Sequence, residues 1–168
     1  MNVQVSYDRV VAEDVNWLDS EQLQSWMTFM GLLVVLPGEL DSRMQRQAGI
    51  TNFEYTVMAG LSEAPGRTLR ISVLAQLAQG SLSRLSHLIK RLEKQGWVRR
   101  EPDPLDGRYT NAILTDAGFA KVVETAPGHV DAVRELVIDA VTPAQLRSLG
   151  EISGRILRGI HPDGDCPL

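Results

Sequence analysis

The sequence predicts a mainly α protein with a small β wing: a winged helix-turn-helix with N- and C-terminal dimerisation helices. Three observations carry this. Residues 82–95 alternate an apolar stripe with a basic, hydroxylated one at helical spacing. A short helix precedes them across Gly80-Ser81, and two short strands joined by a charged Pro/Gly loop follow. Long apolar-patterned helices flank this unit on both sides.

Helices are predicted at about 20–47, 52–63, 73–79, 82–95, 116–140 and 143–159. Asp19 to Gln22, Thr51 to Glu54 and Thr142 to Gln145 carry an N-cap residue followed three positions later by Glu or Gln, the capping-box pattern. Gly49, Gly66, Gly80 and Gly96 each follow a periodic segment and read as stops. Helix one contains five consecutive apolar residues, Leu32 to Leu36, so it needs partners on every side. In 116–140, Phe119, Val123, Ala126, Val130, Val133, Val137 and Ala140 recur at alternating spacings of four and three, a coiled-coil-like seam. Pro127-Gly128 interrupts the seam without shifting its phase and predicts one kinked helix rather than two. Leu146, Leu149, Ile156 and Ile160 share one side of the last helix. Strands are expected at 97–101 and 109–114, with a third around Leu69 to Ile71. The layout is one domain over 1–168. Dimerisation helices lie at about 20–47 and 116–160, the winged unit at about 51–115, and a flexible tail at 161–168.

The chain of 168 residues carries a formal net charge of -4. That charge is uneven. Residues 67–108 hold nine basic and four acidic residues, a balance of +5, and the remainder carries -9. A basic unit on an acidic scaffold is the electrostatic footprint of a nucleic-acid reader. The apolar stretch Trp26 to Leu36 ends at Pro37-Gly38-Glu39, short of the ~18 residues of a membrane span. The first 14 residues lack the pattern of a signal peptide. A cytoplasmic setting without membrane contact is expected. Cys166 alone provides no disulfide or Cys-based zinc cluster and reads as an inert tail thiol. His87, His129 and His161 are too widely spaced for a metal site. No cofactor is expected. No phosphate-cradling loop or nucleophile–base pair suggests an enzyme.

In the helix 82–95, Leu82, Leu85, Leu88, Ile89 and Leu92 form the core stripe. Ser83, Arg84, Ser86, His87, Lys90 and Arg91 are the DNA-contact candidates. Arginine can read guanine bidentately, and serine suits bases or phosphates. In the loop, Arg108 is the candidate for a narrow minor groove, oriented by Asp106. Arg70, Lys90 and Arg91 are phosphate candidates, with an internal salt bridge as the alternative for Arg91. Arg99 and Arg100 point to opposite sides of a strand. Trp17, Trp26, Phe29, Phe53 and Tyr55 suit an effector pocket less well than ordinary packing.

The stretch from Leu74 to Gly118 resembles the MarR family of bacterial transcriptional regulators. The family's Arg-Leu-Glu-x-x-Gly is Arg91 to Gly96. Its wing pattern is Asp103, Asp106 and Arg108, and its Leu-Thr-x-x-Gly is Leu114, Thr115 and Gly118. The match extends upstream through Thr51 to Tyr55 and Leu61 to Gly66 and covers roughly 20–160. The resemblance implies a homodimer on a pseudo-palindromic double-stranded DNA operator, with recognition helices in major grooves and wings in minor grooves. It implies a repressor released by a small aromatic or phenolic effector. The family's peroxide sensors carry a reactive Cys near the N-terminal helix, and this sequence has none there. The alternative is a winged-helix protein-interaction module without an operator.

Overall fold

The computed structural model describes residues 15–77 and 82–161. The predicted turn at Gly80-Ser81, the end of the helix 73–79, the tail and Cys166 lie outside them. The element order is α1 (Ser20–Ala48), α2 (Asn52–Glu63), β1 (Thr68–Arg70), α3 (Ile71–Leu77), α4 (Leu82–Lys94), β2 (Val98–Pro102), β3 (Thr110–Leu114), α5 (Asp116–Val133) and α6 (Pro143–Ile160). The chain divides into two units between Val35 and Leu36.

All three predicted capping boxes form. At α1, Gln22 N donates to Asp19 Oδ1 (2.8 Å) and Asp19 N to Gln22 Oε1 (3.0 Å). Thr51 with Glu54 and Thr142 with Gln145 make the same reciprocal pair at α2 and α6. Each satisfies two amides that the first helical turn leaves without partners.

In the unit before Leu36, the apolar side chains of α1 are exposed, including Trp26, Met27, Val34 and Val35. The helix runs on through Pro37 for 29 residues. By length and composition alone it could cross a membrane, a test that long apolar helices of soluble proteins also pass.

In the second unit, α2, α3, α4 and the sheet enclose one core. Ile50, Met58, Leu61, Leu74, Leu85, Ile89, Leu92 and Val98 are among its fully buried side chains, with Ala112, Leu114 and Val122 beside them. Burying each large aliphatic side chain contributes roughly 1.5–3 kcal/mol. The sheet order is β1-β3-β2, antiparallel, with Leu69 and Arg100 both opposite Ala112. The third strand therefore exists, and it pairs with β3 on the side away from β2.

One expectation changes, and α5 shows detail beyond the sequence pattern. Gly66 does not end α2, which stops at Glu63; Gly66 sits at φ +59° in the single tight turn Pro65–Arg67. The helix from Asp116 runs through Pro127 as one helix, and a further irregularity falls at Arg134–Ile138, a π-type turn closed by Asp139 N donating to Arg134 O (2.8 Å). Within the chain α5 buries Gly118, Val122, Thr125 and Ala132, while Phe119, Val123 and Val130 of the 4–3 seam remain exposed.

Candidate nucleic-acid interface

The helix α4 is held by burial of Leu85, Leu88, Ile89 and Leu92, each at most 3% exposed. Four buried residues on one stripe fix the rotation of a 13-residue helix. The opposite side carries Ser83, Arg84, His87, Lys90, Arg91 and Lys94 in solvent, while Ser86 is half-buried. Gly96 ends the segment at φ +74°, a left-handed conformation that disfavours any side chain.

The two arginines of this helix have different surroundings. Arg91 Nε donates to Glu54 Oε1 at 2.7 Å, and that carboxylate is buried. Glu54 also accepts from Thr51 N (2.7 Å) and Thr51 Oγ1 (3.0 Å). Arg91 is therefore a clamp between α4 and the N-terminus of α2, the internal alternative weighed for it above. The guanidinium of Arg84 lies 4.5 Å from the centroid of the Phe53 ring.

The wing is built on two aspartates. Asp103 Oδ1 accepts from the amides of Leu105 (2.9 Å) and Asp106 (3.3 Å), and Oδ2 accepts from Arg70 Nε (2.7 Å). The Leu105 amide, then the Arg70 guanidinium, hold its carboxyl below the ordinary carboxylate range. Arg70 also lies over the Tyr109 ring, 4.5 Å from its centroid. Arg70, a phosphate candidate in the sequence, thus braces the loop from β1. At the tip, Arg108 donates to Asp106 through Nε (2.9 Å) and Nη2 (2.6 Å), and Arg108 N donates to the same carboxylate (3.1 Å). The Arg108 side chain remains 84% exposed. Its guanidinium holds the Asp106 carboxyl below the usual range. Asp106 thus fixes the direction of a charge that faces outward.

Arg100 pairs with Glu93 of α4 (2.6 Å), and Arg99 pairs with Glu101. The first ties β2 to α4. Thr115 joins the wing to α5: its hydroxyl donates to the Gly96 carbonyl (2.7 Å) and accepts from Gly118 N (3.0 Å). Gly118 is required there, because a Cβ would stand 2.1 Å from the Trp97 carbonyl oxygen.

Of the aromatic residues considered for a pocket, Phe53 and Tyr55 pack against the core, and Trp17, Trp26 and Phe29 are exposed. Tyr55 borders a cleft of about 730 Å³ between α2 and α5, with Ala59, Phe119, Val123 and Val130. The sequence reading missed this α5 wall, having assigned those residues to a helix–helix seam. The Tyr55 ring lies 4.6 Å from that of His129, whose Nδ1 is buried without a hydrogen-bond partner. Burial pushes the Tyr55 hydroxyl up and the His129 imidazole down.

Residues 48–108 match the MarR family. Over 55 residues the chain is 40% identical to the HTH-type transcriptional regulator PecS of Dickeya dadantii, covering 33% of each. Over 104 residues it is 28% identical to YdcH, an uncharacterized HTH-type transcriptional regulator of Bacillus subtilis, covering 62% of this chain and 65% of that one. These matches span from a third to just under two thirds of the relatives' length. Among solved structures, Sco3205 of Streptomyces coelicolor, a MarR family regulator in complex with DNA, is 44% identical with a TM-score of 0.84, covering 90% of this chain and 94% of its own. AbsC of the same organism, also a MarR family regulator, is 32% identical with a TM-score of 0.81, covering 89% of this chain and 100% of its own. A winged helix with this reading helix and wing, and such identity along nearly a whole relative, mean that the chain belongs to the MarR family of transcriptional regulators.

Proposed function

We propose that this protein is a cytoplasmic, homodimeric, sequence-specific DNA-binding regulator that represses from a pseudo-palindromic operator and is released by a small aromatic effector. The observation that carries the DNA reading is the wing tip: the guanidinium of Arg108 is aimed outward by a doubly hydrogen-bonded Asp106. A narrow minor groove concentrates negative potential and draws such a charge. Ser83, Arg84, His87 and Lys90 form the outward face of α4 that enters the major groove. Ser86, half-buried, reaches the groove from the edge of that face. Arg91, with its Nε turned to Glu54, holds the helix rather than the phosphate backbone. The relative Sco3205, crystallised with DNA, supports the same use of the fold.

Dimerisation is supported by the apolar surface left open on the terminal helices. In α1, Val34 and Val35 are more than two thirds exposed, and in α6 Ile152, Ile156 and Ile160 are exposed. Covering such surface with a second copy places two reading heads on one operator. The cleft beside Tyr55, with apolar walls from α2 and α5, is the candidate effector site.

The test is selection of binding duplexes from a randomised library, followed by affinity measurement across salt. The expected result is an inverted repeat with half-sites about 10 bp apart and an affinity that falls steeply with salt. No enrichment, or binding indifferent to salt, together with capture of a protein partner, would establish the protein-interaction module instead.

A further inference from the structure

We propose that Phe53, a residue of α2 outside the reading helix, is the positioning residue that sets the guanidinium plane of Arg84 for base recognition. The proposal rests on the DNA-binding reading above and deepens it.

Arg84 lies in the first turn of α4 and is exposed. Ordering an arginine side chain on DNA costs side-chain entropy, so contacts that restrict it beforehand favour binding. Bidentate recognition of guanine O6 and N7 also needs the flat guanidinium in one plane. The Phe53 ring is half-buried against the core, and the Arg84 guanidinium lies 4.5 Å from its centroid. A ring packed against the core beneath the cation favours one placement of it.

The neighbouring contact reinforces the arrangement. Glu54, the next residue of α2, holds Arg91, which follows Arg84 by two helical turns on the same side of α4. The N-terminus of α2 therefore grips α4 at two points. Its capping box fixes it in turn, with Thr51 Oγ1 accepting from Glu54 N at 3.1 Å. The Arg91 contact sets where the helix lies, and the Phe53 contact sets how its first reading side chain is presented. A cleft of about 370 Å³ borders Phe53, Arg84 and His87.

The test is a double-mutant cycle on the full chain, with the duplex that the wild-type protein selects from a randomised library. Phe53→Leu and Phe53→Met are both prepared, so that a ring-less variant with cooperative melting is measured. Removal of the ring is expected to weaken binding about two- to fivefold and to relax preference at the single base position that Arg84→Ala also relaxes. In the Arg84→Ala background the same substitution should cost nothing further. Phe53→Tyr, which keeps the ring, should behave as wild type. An equal loss in both backgrounds, or an unchanged base preference, would overturn the positioning role while leaving DNA binding intact. Failure of the wild type to enrich any duplex would overturn both.

Discussion

Arg91 of the recognition helix donates to a carboxylate, Glu54, that also closes the capping box of α2, at 2.7 Å from each of Arg91 Nε and Thr51 N. One buried side chain thus caps one helix and anchors another. Glu54→Ala should destabilise the fold by about 2 kcal/mol, combining a lost cap with a broken, partly exposed ion pair. Glu54→Gln keeps an oxygen for the Thr51 amide and should cost about half as much. Urea denaturation of the three proteins checks the order. Equal stability of Glu54→Ala and wild type would refute the dual role.

Gly118 supplies a second prediction. A methyl at this position would lie 2.1 Å from the Trp97 carbonyl oxygen and 2.7 Å from Leu114 Cδ1. The backbone cannot yield cheaply, because Thr115 N donates to the same carbonyl at 3.0 Å. Gly118→Ala should therefore destabilise by about 2–3 kcal/mol. Gly150, in α6, has nothing within 4 Å of its Cβ position. Gly150→Ala should raise stability by about 0.5–1 kcal/mol through helix propensity alone. Opposite shifts in melting temperature are the expected result.

These contrasts show what the sequence made legible. The α4 stripe, the three capping boxes and the pairing of Asp106 with Arg108 are local patterns, and the structure contains all of them. Contacts between distant segments were not legible. Arg70 and Arg91 sit on polar stripes that suit a phosphate as well as a carboxylate, and only the fold brings Asp103 and Glu54 to them. In α5 the stronger apolar spacing marks the exposed seam and not the face packed within the chain. The buried face uses Gly118, Thr125 and Ala132, small or polar residues that pack closely and leave little hydrophobic signal. Gly118 was visible as a family motif, but its cause, a backbone passing at contact distance, exists only in three dimensions.

Acid should weaken the fold in two windows. Burial lowers the His129 imidazole below its ordinary value of 6.5. The unfolded chain therefore takes up that proton first, and stability falls as pH drops through about 6.5 toward the folded value. Replacing His129 by Leu, which needs no partner for Nδ1, should flatten melting temperature over that window. The Asp103 carboxyl, held low by the Leu105 amide and then Arg70, acts further down. Its contribution is complete above the ordinary 3.8 and is lost as pH falls through its lowered folded value. Asp103→Asn should remove that lower step and leave the upper one. Melting curves at closely spaced pH values separate the two, and a His129→Leu profile identical to wild type would refute the first.

The wing tip yields the prediction most directly tied to function. Arg108 is exposed, and Asp106 is its ion-pair partner at 2.6 Å. Its removal therefore leaves the core untouched, and Arg108→Ala should melt as wild type does. On DNA the same change should weaken binding severalfold and, where a phosphate is lost, lower the salt slope by about 1. Asp106→Asn should lose less, because the charge remains and only its direction is released. The order wild type, Asp106→Asn, Arg108→Ala in affinity, with three equal melting temperatures, is the outcome that assigns the wing to DNA. Matching affinities for all three would place recognition on α4 alone and remove the wing from the mechanism.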